Sequence, residues 1–138
     1  MVPGHVMKTL IVDDEPIARR VLREELELID GVEIVGEADS GEKALRQITE
    51  QKPDLVLLDL QMPGMGGLEL QQRLTETGQR IPIVFLSARA SEEEEKCALR
   101  AGAAGFLRKP ANKEALLRAI HSVFEPPARN NNNPSKEL

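Results

Sequence analysis

Asp54-Leu55-Val56-Leu57-Leu58-Asp59-Leu60-Gln61-Met62-Pro63-Gly64-Met65-Gly66-Gly67 is the stretch from which the fold can be read. Leu55 to Leu58 is an apolar run without polar alternation, as expected of a strand covered on both faces in a parallel sheet. It ends on Asp59, where a buried strand meets the loop that leaves it. Pro63, Gly64, Gly66 and Gly67 make that loop sharp. In open α/β sheets chemistry collects at the carboxyl ends of the strands. Asp59 is therefore either a cap on the following turn or a reactive group, and the other strand ends decide between the two.

Working outward, Lys8 to Val12 is a β-branched, buried-type strand followed by Asp13-Asp14-Glu15-Pro16, and Pro16 suits the first turn of a helix. Ile17, Ala18, Val21, Leu22 and Leu26 recur at helical spacing, with Arg19, Arg20, Arg23 and Glu24 expected on the outer face. Gly31 is expected to end that element. A second strand over Val32 to Ala38 leads into a helix opened by Asp39-Ser40-Gly41. Beyond the Asp59 loop, Leu68, Leu70 and Leu74 mark a third helix closed by Thr77-Gly78. Ile81 to Leu86 is a fourth strand finishing on Ser87. Ser91 and Glu94 form a capping box for a helix from Glu92 to about Arg100. Gly102 and Gly105 bracket a turn into a short strand, Phe106 to Arg108. The last helix runs from Lys113 to Phe124.

Five strands alternating with five helices predict a doubly wound, flavodoxin-like (βα)5 fold. Its parallel sheet takes the order 2-1-3-4-5, with helices on both faces. The expected organisation is a flexible leader over residues 1–6, one domain over 7–124, and a disordered tail or truncated linker over 125–138, with no further domain after Phe124.

Composition narrows the function. At 138 residues the chain holds one domain with a proper core. Aromatics make up only 2% of it, with no Trp or Tyr, so it lacks stacking platforms for single-stranded nucleic acid. A net charge of −5 argues against direct binding to nucleic acid or an anionic membrane. No apolar run approaches a membrane span, and the lone Cys97 cannot form an internal disulfide, which together point to the cytoplasm. Cys97 itself is expected to pack. The fourth helix, carrying little beyond Cys97, Ala98 and Ala101 as apolar area, is expected to be weakly anchored.

Collected together, the strand ends deliver Asp13 and Asp14 from strand 1, Asp59 from strand 3, Ser87 from strand 4 and Lys109 after strand 5. Each has a dull explanation as a cap or turn residue. Their coincidence on one sheet edge does not. Three carboxylates forced together repel; a hard divalent cation, Mg²⁺ or Mn²⁺, relieves this. Asp59 could then attack a phosphoryl group, with Lys109 and the Ser87 hydroxyl stabilising its oxygens.

Val12-Asp13-Asp14-Glu15, Leu57 to Gly67, Leu86-Ser87-Ala88 and Gly105-Phe106-Leu107-Arg108-Lys109-Pro110 resemble the signature of bacterial two-component response-regulator receiver domains, the CheY-like family. The resemblance implies that Asp59 accepts a phosphoryl group from a phosphohistidine on a sensor histidine kinase or phosphotransfer protein. It implies Mg²⁺ ligation by Asp14 and Asp59 directly, by Asp13 mostly through water, and by the Gln61 backbone carbonyl. Ser87 becomes the hydroxyl switch residue, Lys109 the phosphate-pairing lysine, and Lys109–Pro110 a cis peptide. Phe106 stands where many members carry a switching Tyr, and it lacks the hydroxyl. The implied output is a changed surface over helix 4, strand 5 and helix 5, with possible homodimerisation on activation and control of a partner or an output domain, transcriptional among the options. Gln61 and Arg89 flank the phosphate position and are expected to tune its lifetime.

Two other readings compete. A haloacid-dehalogenase-type phosphatase would use Asp59 as nucleophile, but it needs a second acid where Gln61 stands; steady phosphate release would favour it. A receiver that binds partners without phosphorylation would bind them equally well modified or not, and the intact acid, Ser87 and Lys109 set argues against it.

Overall fold

The computed structural model describes residues 6–124. Apart from Val6, the expected leader and tail lie outside the described residues. The element order is β1 (Met7–Val12), α1 (Pro16–Leu26), β2 (Val32–Ala38), α2 (Gly41–Gln51), β3 (Leu55–Asp59), α3 (Gly67–Glu76), β4 (Ile83–Ser87), α4 (Glu92–Arg100), β5 (Gly105–Arg108) and α5 (Lys113–Phe124). The five strands pair in parallel in the order β2-β1-β3-β4-β5, the predicted flavodoxin-like topology.

Side-chain alternation divides the sheet's two faces. Leu10, Val12, Val56, Leu58 and Phe85 point to a layer containing Ala44 and Ile48 of α2, Leu70 and Leu74 of α3 and Ala98 of α4. Ile11, Leu55, Leu57, Val84 and Leu86 point to the opposite layer, with Leu22 and Leu26 of α1 and Leu116 and Ile120 of α5. Every residue of β3 and β4 is buried, as a strand covered on both sides requires. A bulge between Thr9 and Leu10 shifts the β1–β2 register, leaving Val35 as the extra residue.

The structure differs from the sequence reading in several places. Helix α1 stops at Leu26, well before Gly31; turns in which Leu28 and Ile29 donate to Glu25 and Leu26 bring Ile29 into the core. Gly31 is instead a positive-φ turn residue (φ 87°) whose carbonyl accepts from Met7 N. Strand β4 begins at Ile83, because Pro82 has no N–H to give the ladder, although its carbonyl accepts from Val56 N at 3.0 Å. Ile17 (74% exposed) and Val21 (45%) lie outside the core, since the sheet covers only the Leu22–Leu26 side of α1. Finally, Cys97 is exposed rather than packed. Of the residues of α4 only Ala98 is buried.

Candidate functional site

The acidic edge is built by strands that end in step. β1 and β3 run side by side with Val12 opposite Leu58, so Asp13 and Asp59 emerge as neighbours. Asp13 N donates to Ala38 O of β2, and the Asp13 carboxylate accepts from Glu15 N at 2.9 Å, an Asx-type turn that starts α1. On the far side of Asp59 the chain turns through Gly64 (φ 72°) and returns at Gly67, whose N–H donates to Leu60 O. A Cβ at Gly67 would lie 2.7 Å from Asp59 O and 2.9 Å from the Phe85 ring, so only glycine allows α3 to start this close to the acid.

One carboxylate oxygen from each of Asp13, Asp14 and Asp59 lies within 4.8 Å of the others. Asp13 and Asp59 are buried and Asp14 is half-buried. Lys109 reaches in from the end of β5, its Nζ 2.5 Å from Asp13 Oδ2 and 3.6 Å from Asp59 Oδ1. Its own N–H is tied to Ser87 O, and the Lys109–Pro110 peptide is cis. Gln61 is exposed, and its backbone N–H donates to Asp59 Oδ1 at 3.3 Å.

Burial, with Asp13 and then Asp14 close by, pushes the Asp59 carboxyl up to about 6, against the opposing pull of Lys109 and the Gln61 N–H. Burial alone would lower Lys109, but the hydrogen-bonded Asp13 carboxylate, with Asp59 beyond it, holds its pKa above the ordinary lysine value. The edge thus contains more negative charge than its one lysine balances. The donor set is all oxygen and anionic, so the cluster is compatible with a site for a hard divalent cation.

Ser87 meets this cluster through its carbonyl, which accepts from Lys109 N, while its hydroxyl serves the following loop. The Ser87 side chain is fully buried, and its Oγ accepts from Arg89 N (3.2 Å) and Ala90 N (3.0 Å), which shapes the loop leading to α4. Phe106 is half-buried, with its ring 6.3 Å from that of Phe85 and the Arg108 guanidinium 5.3 Å over its centroid. Arg108 also donates to Ala90 O and pairs with Glu95 at 2.8 Å.

Two residues with a part in the site escaped the sequence reading. Arg19, expected on the outer face, donates to Asp13 O at 2.7 Å and to Glu37 Oε1 at 3.1 Å. Arg108 clamps the Ser87 loop to β5. The available signal for Arg19 was Glu37, an acid late in an otherwise mostly apolar strand, with Arg19 and Arg23 four apart on the preceding helix to answer it.

A doubly wound sheet whose carboxyl edge gathers three acids and a lysine beside a buried serine defines a class of signalling domain. Residues 9–121 match the response regulator receiver domain family, and the chain belongs to that family. It is 39% identical over 119 residues to the response regulator GacA of Pseudomonas syringae pv. syringae, covering 86% of this chain and 56% of GacA. It superposes on the signal receiver domain of a NarL response regulator from Mycobacterium tuberculosis with a TM-score of 0.79 at 32% identity, covering 85% and 94% of the two chains. A chain of the CheX–CheY–BeF3–Mg²⁺ complex from Borrelia burgdorferi matches with a TM-score of 0.83 at 28% identity, over 90% and 93%. The chain spans about half the length of the curated relatives it matches. It is a receiver domain of the two-component response-regulator type, and such a domain is a signalling module. Among the described residues no helix is long and apolar enough to cross a membrane.

Proposed function

We propose that residues 7–124 form a phosphorylation-driven switch whose acceptor is Asp59. The observation that carries this reading is the Asp59 carboxylate itself: buried, raised to about 6 by that burial and by Asp13 beside it, and 3.6 Å from Lys109 Nζ. In the transfer, an Asp59 carboxylate oxygen forms a bond to phosphorus as the P–N bond to the donor imidazole breaks. The imidazole leaves with the electron pair and takes up a proton. Lys109 pairs with one phosphoryl oxygen, giving up part of its hold on Asp13, and the Ser87 hydroxyl donates to another. Asp13, Asp14 and Asp59, with the Gln61 carbonyl, would hold Mg²⁺ or Mn²⁺. When bound, the cation neutralises charge on the acids and on the phosphoryl oxygens. Exposed Gln61 and Arg89 flank the site and tune how fast water removes the phosphoryl group. The domain catalyses its own modification and its slow reversal, and it turns over no other substrate.

The readout runs through Ser87. Turning its Cβ–Oγ bond toward Asp59 withdraws the acceptor that Arg89 and Ala90 N–H now share, which loosens the entry to α4. Phe106 can follow with its ring but has no hydroxyl to lock the new position. The α4–β5–α5 face then changes its partner preference, including for a second copy of this chain or for an output domain. The phosphodonor, a sensor histidine kinase or phosphotransfer protein, has a seat beside the acid. Exposed Val21, with Ala18 and Leu22, borders a groove of about 190 Å³ between α1 and Pro110-Ala111 that opens onto Asp59 and Lys109. We assign the reaction to the cytoplasm, where an exposed Cys97 stays reduced.

Intact-protein mass spectrometry after incubation with acetyl phosphate and Mg²⁺ tests the acceptor. A gain of about 80 Da, the mass of one phosphoryl group on a side-chain oxygen, is expected for the wild type. It should be absent from Asp59→Asn and from an EDTA control. No gain on a folded protein would leave a module that binds partners without phosphorylation. The same modified sample in sedimentation velocity reads self-association, and an unchanged mass excludes the dimer.

A further inference from the structure

We infer that Arg19 is a positioning residue for the cation site, acting through the backbone of Asp13 rather than by touching the cation or the phosphoryl group. The inference rests on the reading of Asp13, Asp14 and Asp59 as that site.

Asp13 and Asp14 occupy the short connector between Val12, where β1 ends, and Pro16, where α1 begins. Glu15 N and Lys109 Nζ hold the Asp13 carboxylate directly, but past the end of the strand few bonds fix the peptide planes, so the direction of both acids also depends on what holds this backbone. At its nitrogen, Asp13 donates to Ala38 O at 3.0 Å. At its carbonyl oxygen, it accepts from the Arg19 guanidinium at 2.7 Å. That carbonyl belongs to the peptide joining Asp13 to Asp14, so one contact orients the link between the two acids.

The guanidinium is itself held in place. Its Nε donates to Glu37 Oε1 at 3.1 Å, and the second oxygen of Glu37 is taken by Arg23 Nε at 2.6 Å. Burial would raise the Glu37 carboxyl, but Arg23 and Arg19 outweigh it and hold Glu37 below the ordinary carboxylate range, so the fork stays charged at neutral pH. The Arg19 side chain is 19% exposed, against 37% for Arg23. Two arginines therefore share one acid, and only one of them continues to the site. A planar guanidinium can serve a carboxylate and a carbonyl from fixed directions at once, which a lysine ammonium on a flexible stem does far less well. Groups that orient the ligands of a cation commonly change its affinity without contacting it.

That asymmetry supplies the control. In the full chain, Mg²⁺ alone is titrated into metal-free protein and followed by amide chemical shifts, which also report that each variant is folded. Arg19→Met is expected to weaken Mg²⁺ binding about tenfold. Arg23→Met, which breaks the same ion-pair cluster but not the contact to Asp13, should stay within about twofold of the wild type under the same reasoning. Should Arg19→Met not fold, Arg19→Lys keeps the charge and loses the fork, and it too should weaken binding severalfold. Equal weakening by the Arg19 and Arg23 variants would make the cluster a general brace and overturn the inference. Arg19 variants that bind Mg²⁺ like the wild type overturn it while leaving the cation site intact. A folded wild type whose amide shifts do not respond to Mg²⁺ overturns the site and the inference together.

Discussion

All five residues of β3 are buried, whereas α4 buries Ala98 alone among its nine residues. The strand delivers Asp59 from between two hydrophobic layers and is paired on both edges. The helix is held by Ala98, by the Gln71 side chain donating to Ala98 O, and at its entry by Arg108 to Ala90 O and Glu95. Under the proposed phosphorylation of Asp59, the difference would let one small domain combine a fixed site with a movable surface. Chemistry at Asp59 needs acids that stay in place while repelling one another, and only a packed strand resists that. A reporter needs contacts few enough for a single hydroxyl to tip the balance.

The sharpest way to test the contrast is to remove apolar volume from each side. Leu58→Ala, at a fully buried position next to Asp59, should cost about 2–5 kcal/mol of unfolding free energy. Leu99→Ala on α4, where the side chain is 43% exposed, should cost no more than about 0.5 kcal/mol. Urea denaturation measures both. Comparable losses would mean that α4 is anchored as firmly as the strand.

A second effect has the opposite sign. The Asp59 carboxyl stands at about 6 in the fold against 3.8 as its ordinary value, so the folded state binds the proton more tightly than the unfolded chain. Its contribution to stability is fully present below the unfolded value and is lost as pH rises through about 6. In metal-free buffer at pH 7 the ionised acid therefore works against the fold, by roughly 3 kcal/mol at most. Asp59→Asn should raise the denaturation midpoint, with a gain of about 1–3 kcal/mol that narrows as pH falls toward 4. An Asn variant no more stable than the wild type at pH 7 would show that Lys109 already neutralises the cluster. The strand would then not be holding an acid under strain.

The sequence made much of this edge legible, because strands in a doubly wound sheet end in punctuation. Asp13-Asp14 before Pro16, Asp59 before Pro63-Gly64, Ser87 and Lys109-Pro110 each mark a strand's carboxyl end, and the topology brings those ends together. What stayed hidden depends on which side of an element meets a neighbour. Periodicity showed that α1 has an apolar stripe, but the stripe is wider than the area the sheet covers, so Ile17 and Val21 are left outside. The Arg19–Glu37 pair joins residues 18 apart in the chain across two elements, a match that spacing on one helix cannot reveal. Cys97 looked packed because it lies in an Ala-containing helical stretch without partners for a metal or catalytic thiol, yet Ala98 alone of α4 is buried, a thin line of attachment.

The smallest effect probes that line. Ser91 Oγ accepts from Glu94 N at 3.1 Å while Glu94 Oε1 accepts from Ser91 N at 2.9 Å, a reciprocal box that satisfies two free donors at the start of α4. Ser91→Ala should cost the helix about 1 kcal/mol. How that cost appears depends on whether α4 opens by itself or only with the whole domain. If its anchoring is as slight as one buried alanine implies, the loss falls on local opening. Amide exchange within α4 should then quicken about fivefold, the equivalent of about 1 kcal/mol, while exchange in β3 and the urea midpoint hardly move. If α4 instead belongs to the same cooperative unit as β3, the midpoint falls by the full amount and α4 amides exchange no faster relative to the strand. Phosphorylation of Asp59 would then have to work against the stability of the entire domain to shift one helix, and a single serine hydroxyl could not supply that.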